Sequence, residues 1–210
     1  QDIEPENYTE EDFNRTLPFD KGEYDENEID EATAFFHLPK SLTPNFVSCK
    51  ENIEYSCFEL IRAYRATKKY MDNYKEPQMT KYVIADLLSN YTMTCRMASF
   101  YNAFLIAMFT TRRLILQTDE KDIAWLHPEL KALFTPAVNL KNKGLELPFN
   151  FSFSCEDVNV KNQTLIIKPC MWSQISYIHP YLAPRIRSTF GIHAAFYICN
   201  YLFNYSQKNV

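Results

Sequence analysis

Apolar positions along this chain fall into short runs and helical stripes. Lys81 to Leu88 and Arg113 to Gln117 are apolar runs of strand length. Between them, Met97 to Thr111 is free of charged residues, bounded by Arg96 on one side and by Arg112 and Arg113 on the other. At about 1.5 Å per residue it reaches about 22 Å, short of a bilayer's apolar thickness, so the pattern predicts a buried helix. Strand, loop, helix and strand form one βαβ unit, whose handedness places both strands parallel in one sheet. Upstream, Cys57, Leu60, Ile61, Tyr64, Met71 and Tyr74 recur at helical spacing, with Arg62, Arg65, Lys68 and Lys69 mostly opposite. This predicts an amphipathic helix from about Ile53 to Tyr74, ended before Pro77.

Beyond Gln117, Thr118 followed by Asp119 and Glu120 has the form of a helix start. That helix is expected to run through Ala124, Trp125 and Leu126, restart at Pro128 and stop at Pro136. Residues 137 to 162 suggest loop and short strands, and Gln163 to Cys170 a third strand. Pro180 and Pro184 punctuate a connection ahead of a final apolar helix from Arg187 to Phe203, with Phe190, Ala194, Tyr197, Ile198, Tyr201 and Leu202 on one side. Alternating elements of this kind predict an α/β protein, a Rossmann-like parallel sheet flanked by helices. Residues 1 to 48 have another character: acidic, interrupted by Pro5, Pro18, Pro39 and Pro44, with a short apolar patch at Ala34 to Leu38. They suggest a stem, either a linker or a wrapping arm.

Charge sharpens that division. Residues 1 to 31 hold thirteen acidic side chains against Arg15 and Lys21, so the net −4 of the chain conceals a basic body. A basic body suits a small anionic ligand, or is simply a solvated face. Nucleic acid is not expected, because no aromatic platform alternates with the bases. Six N-x-S/T sequons, at Asn7, Asn14, Asn90, Asn150, Asn162 and Asn204, and an even six cysteines point to the secretory lumen. The cysteines form no zinc spacing, and Cys49 with Cys57 is the first pairing to consider. The chain starts at Gln1 with no apolar span long enough for a membrane, so any signal or anchor is expected upstream.

The candidate chemistry centres on Ser89 to Arg96, the expected loop between first strand and buried helix. A helix start after a parallel strand presents unpaired N–H groups and the positive end of the helix dipole to an anion. Arg96 adds a forked donor suited to a phosphate or carboxylate, or else it solvates the helix end or pairs with a nearby acid. Cys95 beside it has surroundings that lower a thiol pKa, although a lumenal cysteine is far more often a disulfide or buried thiol than a nucleophile. His37, His127, His179 and His193 are scattered, none with a carboxylate or second histidine at metal spacing, so they are expected to be structural and no metal is expected. Ser99 lacks the turn of a serine hydrolase, and Trp125 and Trp172 are core residues or sugar platforms.

The stretch Cys95 to Leu116 resembles the GDP-fucose-using fucosyltransferases of the Golgi, most nearly the xyloglucan fucosyltransferase type. In that family a G-L-G-N-R loop leads into a buried helix of the form M-x-S-x-x-x-x-F-L-x-A, then T-x-R-x-L. Arg96, Met97, Ser99, Phe104, Leu105, Ala107, Thr110, Arg112 and Leu114 fall on this pattern without a gap. Weaker similarity covers residues 49 to 206, including Tyr181, Leu182, Pro184, Phe190, His193, Tyr201 and Leu202. Where the family has G-L-G-N, this chain has Thr92, Met93, Thr94 and Cys95. The departure removes two glycines that would let backbone approach a ligand closely.

The resemblance implies a type II Golgi membrane glycoprotein of GT-B fold that transfers fucose from GDP-fucose to a glycan acceptor with inversion and without a metal or other cofactor. Residues 49 to 210 would be the N-terminal, acceptor-side lobe behind a 1 to 48 stem, and the donor-binding second lobe would be missing, so this chain alone is not expected to be a competent enzyme. Arg96, with Thr94 and Cys95, would contact the sugar nucleotide; no catalytic residue is identified. The alternative is a secreted, non-catalytic glycoprotein that keeps the same α/β scaffold for ligand or partner binding.

Overall fold

The fold is built on a parallel unit of strand β1 (Tyr82–Asp86), helix α3 (Met93–Phe109) and strand β2 (Arg113–Gln117), seen in a computed structural model. It describes residues 26–38, 55–74, 81–87, 92–118, 124–134, 145–146, 164–167 and 182–204. The other described elements are α1 (Glu26–Phe35), α2 (Tyr55–Tyr74), α4 (Pro128–Phe134), β3 (Leu145–Glu146), β4 (Leu165–Ile167), α5 (Leu182–Phe190), a 3-10 turn (Gly191–His193) and α6 (Ala194–Leu202).

The sheet is parallel throughout, in the order β2-β1-β4-β3. Alternation along the strands sorts its side chains into two faces. Val83, Ala85, Leu114, Leu116, Leu165 and Ile167 enter the main core with the helices. Ile84 stands opposite Ile115 and Ile166 in register and forms a buried row on the other face. Burial on both faces is what a parallel sheet requires, and it explains why these strands read as continuous apolar runs.

Helix α3 is buried from Ser99 through Met108, on every side rather than along a stripe, which accounts for its uncharged sequence. It starts one turn earlier than the sequence suggests because Thr92 caps it, its Oγ1 accepting from the Cys95 N–H at 3.4 Å. It ends in a Schellman motif: Arg112 N–H donates to the Ala107 carbonyl and Thr111 N–H to that of Met108, with Thr111 at φ +49°. Helix α2 buries the expected stripe and is tied to the edge strand, since Tyr70 and Tyr74 donate to the Arg112 and Leu114 carbonyls.

Of the two readings of the acidic stem, residues 26–38 follow the wrapping arm and not the linker: α1 packs on α2, and Ile29, Ala32, Phe36 and Leu38 belong to the main core. Two other expectations need correction. Ala124 to Leu126 is not helical; Leu126 makes an antiparallel bridge to Phe203, although Pro128 does open a helix. The last helix is two helices, beginning at Leu182 and broken at Gly191. Pro184 falls in the first turn of α5, where its missing N–H costs no helical bond. Among the described residues no helix is long and apolar enough to cross a membrane.

Candidate functional site

Strand order turns back at β1, which has its sequence neighbour β2 on one side and β4, reached much later in the chain, on the other. In parallel sheets the crevice beyond the strand ends at such a reversal is where ligands settle. The segment that leaves β1 there leads directly into α3, so the start of α3 lies at this end of the sheet.

Helix α3 starts at Met93, so Thr94, Cys95 and Arg96 occupy its first turn and not the preceding loop. Thr94 is exposed, Cys95 is a half-buried thiol, and Arg96 is half-buried with its Nε withdrawn from solvent. Thr92 has already taken the Cys95 N–H, leaving the N–H groups of Met93 and Thr94 ahead of it, where no intrahelical carbonyl reaches. A guanidinium and a dipole end of the same sign thus share one place, and together they favour an anion.

Two further constellations come only from the fold. The Glu59 carboxylate on α2 is buried, and its Oε2 lies 2.8 Å from His193 Nδ1, whose imidazole is half exposed. Gly191 makes room for this pair: it has φ +58°, and a Cβ built there would stand 1.9 Å from Glu59 Oε1. A buried carboxylate orienting an accessible imidazole is an arrangement that can move a proton. The second brings His37, His127 and Glu129 together, their ligand-capable atoms all within 4.8 Å of one another. Burial holds the His37 imidazole below its ordinary pKa; neighbouring His127 adds to that shift and Glu129 opposes it. Sequence spacing, which shows no carboxylate or second histidine at metal spacing, concealed these groupings of His37, His127 and His193.

An open groove of about 600 Å³ between α1 and α2 is lined by ionic side chains, including Glu28, Glu31, Arg65 and Lys68. Much of its lining is already paired: Arg65 makes a two-pronged bond to Glu28, and Tyr64 and Lys68 join the chain to Glu31.

Comparison of the chain with protein-family models, curated proteins and solved structures finds no match.

Ser99 is fully buried inside α3, and Trp125 is a core residue against Phe100 and Phe203. Cys57 is disulfide-bonded. Cys49, His179, Trp172 and the sequons at Asn7, Asn14, Asn90, Asn150 and Asn162 lie outside the described residues. Asn204 is half-buried just past α6, its backbone N–H donating to the Trp125 carbonyl at 2.8 Å.

Proposed function

We propose that this chain is an α/β lobe of a fucosyltransferase-like glycosyltransferase of GT-B type, working in the Golgi lumen on GDP-fucose and a glycan acceptor. The observation that carries this reading is Arg96 in the first turn of a buried helix that links two parallel strands where strand order reverses. Transfer of a sugar from its nucleotide leaves negative charge on the departing diphosphate. A guanidinium reinforced by a helix start stabilises that charge, and such fixed electrostatic help is often the largest catalytic contribution. The disulfide at Cys57 and the six sequons support the lumenal setting.

A second reading is a secreted glycoprotein that uses the scaffold for binding without catalysis. It is favoured by the helix start itself, where Thr92 occupies one donor and no glycine lets a ligand come close.

Calorimetric titration with GDP and with GDP-fucose tests the assignment. Loss of one charged hydrogen bond in Arg96→Ala costs about 1.5 to 3 kcal/mol, or roughly 10- to 150-fold in Kd. Arg65→Ala, at an exposed arginine of the α1–α2 groove paired with Glu28, serves as the control and leaves Kd unchanged. Equal affinity of wild type and Arg96→Ala, or no binding by wild type, refutes the donor contact.

A further inference from the structure

Helix α1 ends in a Schellman motif whose left-handed position is held by a histidine. His37 N–H donates to the Ala34 carbonyl at 3.0 Å and Leu38 N–H to that of Thr33 at 3.1 Å, with His37 at φ +49°. Glycine or asparagine usually sits there, because a β-carbon crowds the backbone. A residue kept in an unfavourable conformation invites the question of what its side chain does.

The His37 side chain lies flat on His127, ring centroids 4.1 Å apart at 23°. Glu129 Oε1 is 3.7 Å from His37 Nε2 and 3.9 Å from His127 Nδ1. None of these distances is a hydrogen bond, so as they stand the three groups converge without bonding one another. Ligand bonds of about 2.0 to 2.1 Å in a tetrahedron put ligand atoms about 3.3 to 3.5 Å apart; the two carboxylate distances lie a few tenths of an ångström beyond this, all three ligand atoms lie within 4.8 Å, and the stacked imidazoles turn about their side-chain bonds to aim both nitrogens at one ion.

The backbones of two of the three are held firmly in place. The His127 N–H donates to the Leu202 carbonyl at 3.1 Å, next to the Leu126 to Phe203 bridge, and its own carbonyl accepts from Leu130 and Lys131 at the start of α4. His37 is fixed by its motif, and Leu38 beyond it is buried in the core. Glu129 is exposed and can swing inward by the distance required.

We infer that His37, His127 and Glu129 form a binding site for one divalent transition-metal ion of the zinc type, which clamps the end of α1 to the start of α4. Two neutral imidazoles and a carboxylate are a zinc donor set, with a fourth position for water. The ion joins a segment of the acidic arm to a segment of the basic body. The site is independent of the nucleotide-sugar reading and stands or falls without it.

Zn²⁺ alone, titrated calorimetrically into the 210-residue chain after treatment with chelator, tests this. One equivalent is expected to bind, and at a hundredfold excess over Kd the thermal midpoint rises by about 5 to 10 °C. His37→Asn, which keeps a residue suited to the left-handed backbone, and Glu129→Ala, at an exposed position, each weaken binding at least tenfold while leaving the far-ultraviolet circular dichroism unchanged. No Zn²⁺ binding by wild type, or binding of the same stoichiometry and affinity in both variants, overturns the site.

Discussion

Replacing Gly191 by alanine tests its close approach to Glu59. The added Cβ meets the Glu59 carboxylate at 1.9, 2.2 and 2.6 Å from Oε1, Cδ and Oε2, distances no real contact tolerates. Glu59 sits 2% exposed and cannot retreat into solvent without opening the seam between α2 and α5. The backbone contributes separately, since alanine at φ +58° costs about 1 kcal/mol. Displacing the carboxylate breaks its bond to His193 and leaves a buried charge poorly paired. For charged hydrogen bonds that is worth about 1.5 to 3 kcal/mol, and the half exposure of His193 selects the lower end. The sum is about 2.5 kcal/mol. Urea unfolding followed by the fluorescence of buried Trp125 measures it, and for a chain of this size the thermal midpoint falls by about 5 to 10 °C. A double-mutant cycle separates the two contributions: in a Glu59→Ala background the obstacle is gone, and Gly191→Ala then costs only the backbone share of about 1 kcal/mol. An equal cost in both backgrounds, or a cost under about 0.5 kcal/mol in wild type, refutes the steric argument.

Phe36 is fully buried against Tyr197 and Tyr201, so Phe36→Ala is expected to destabilise the whole fold by about 3 to 5 kcal/mol; a change below about 1 kcal/mol in the same urea assay shows that the arm is not part of the core. Burial raises the pKa of Tyr70, Tyr74, Tyr197 and Tyr201 above the ordinary 10.0. Because the folded value is the higher one, the unfolded chain loses these protons first: stability from this source is intact below about pH 10 and falls as pH rises beyond it. Urea midpoints between pH 8 and 11 follow the decline, and Tyr197→Phe makes it shallower. A profile that stays flat above pH 10, or an identical slope in the variant, contradicts it.

Much of the frame was legible in the chain's own pattern. Arg113 to Gln117 is a strand to the residue, and every apolar position picked on α2 is buried. Periodicity and uncharged length report which faces leave water, and that is a local property. The parallel unit followed from those lengths together with the chirality of crossover connections. Element ends were less legible. Thr92 displaced the start of α3 by a turn through one side-chain bond, moving Thr94, Cys95 and Arg96 from a loop into a helix.

What tertiary structure alone decided is which distant residues meet. His193 and Glu59 are 134 positions apart, and His37 lies on an acidic segment whose composition suggests a tether. No spacing rule links such residues. Their encounter depends on how apolar faces dock: α1 is drawn onto α2 by Ile29, Ala32 and Phe36, and that burial carries His37 to His127. Hydrophobic pattern states that a face will be covered, but the partner that covers it is settled by packing of the whole core, and polar groups at the rim are brought together as a consequence.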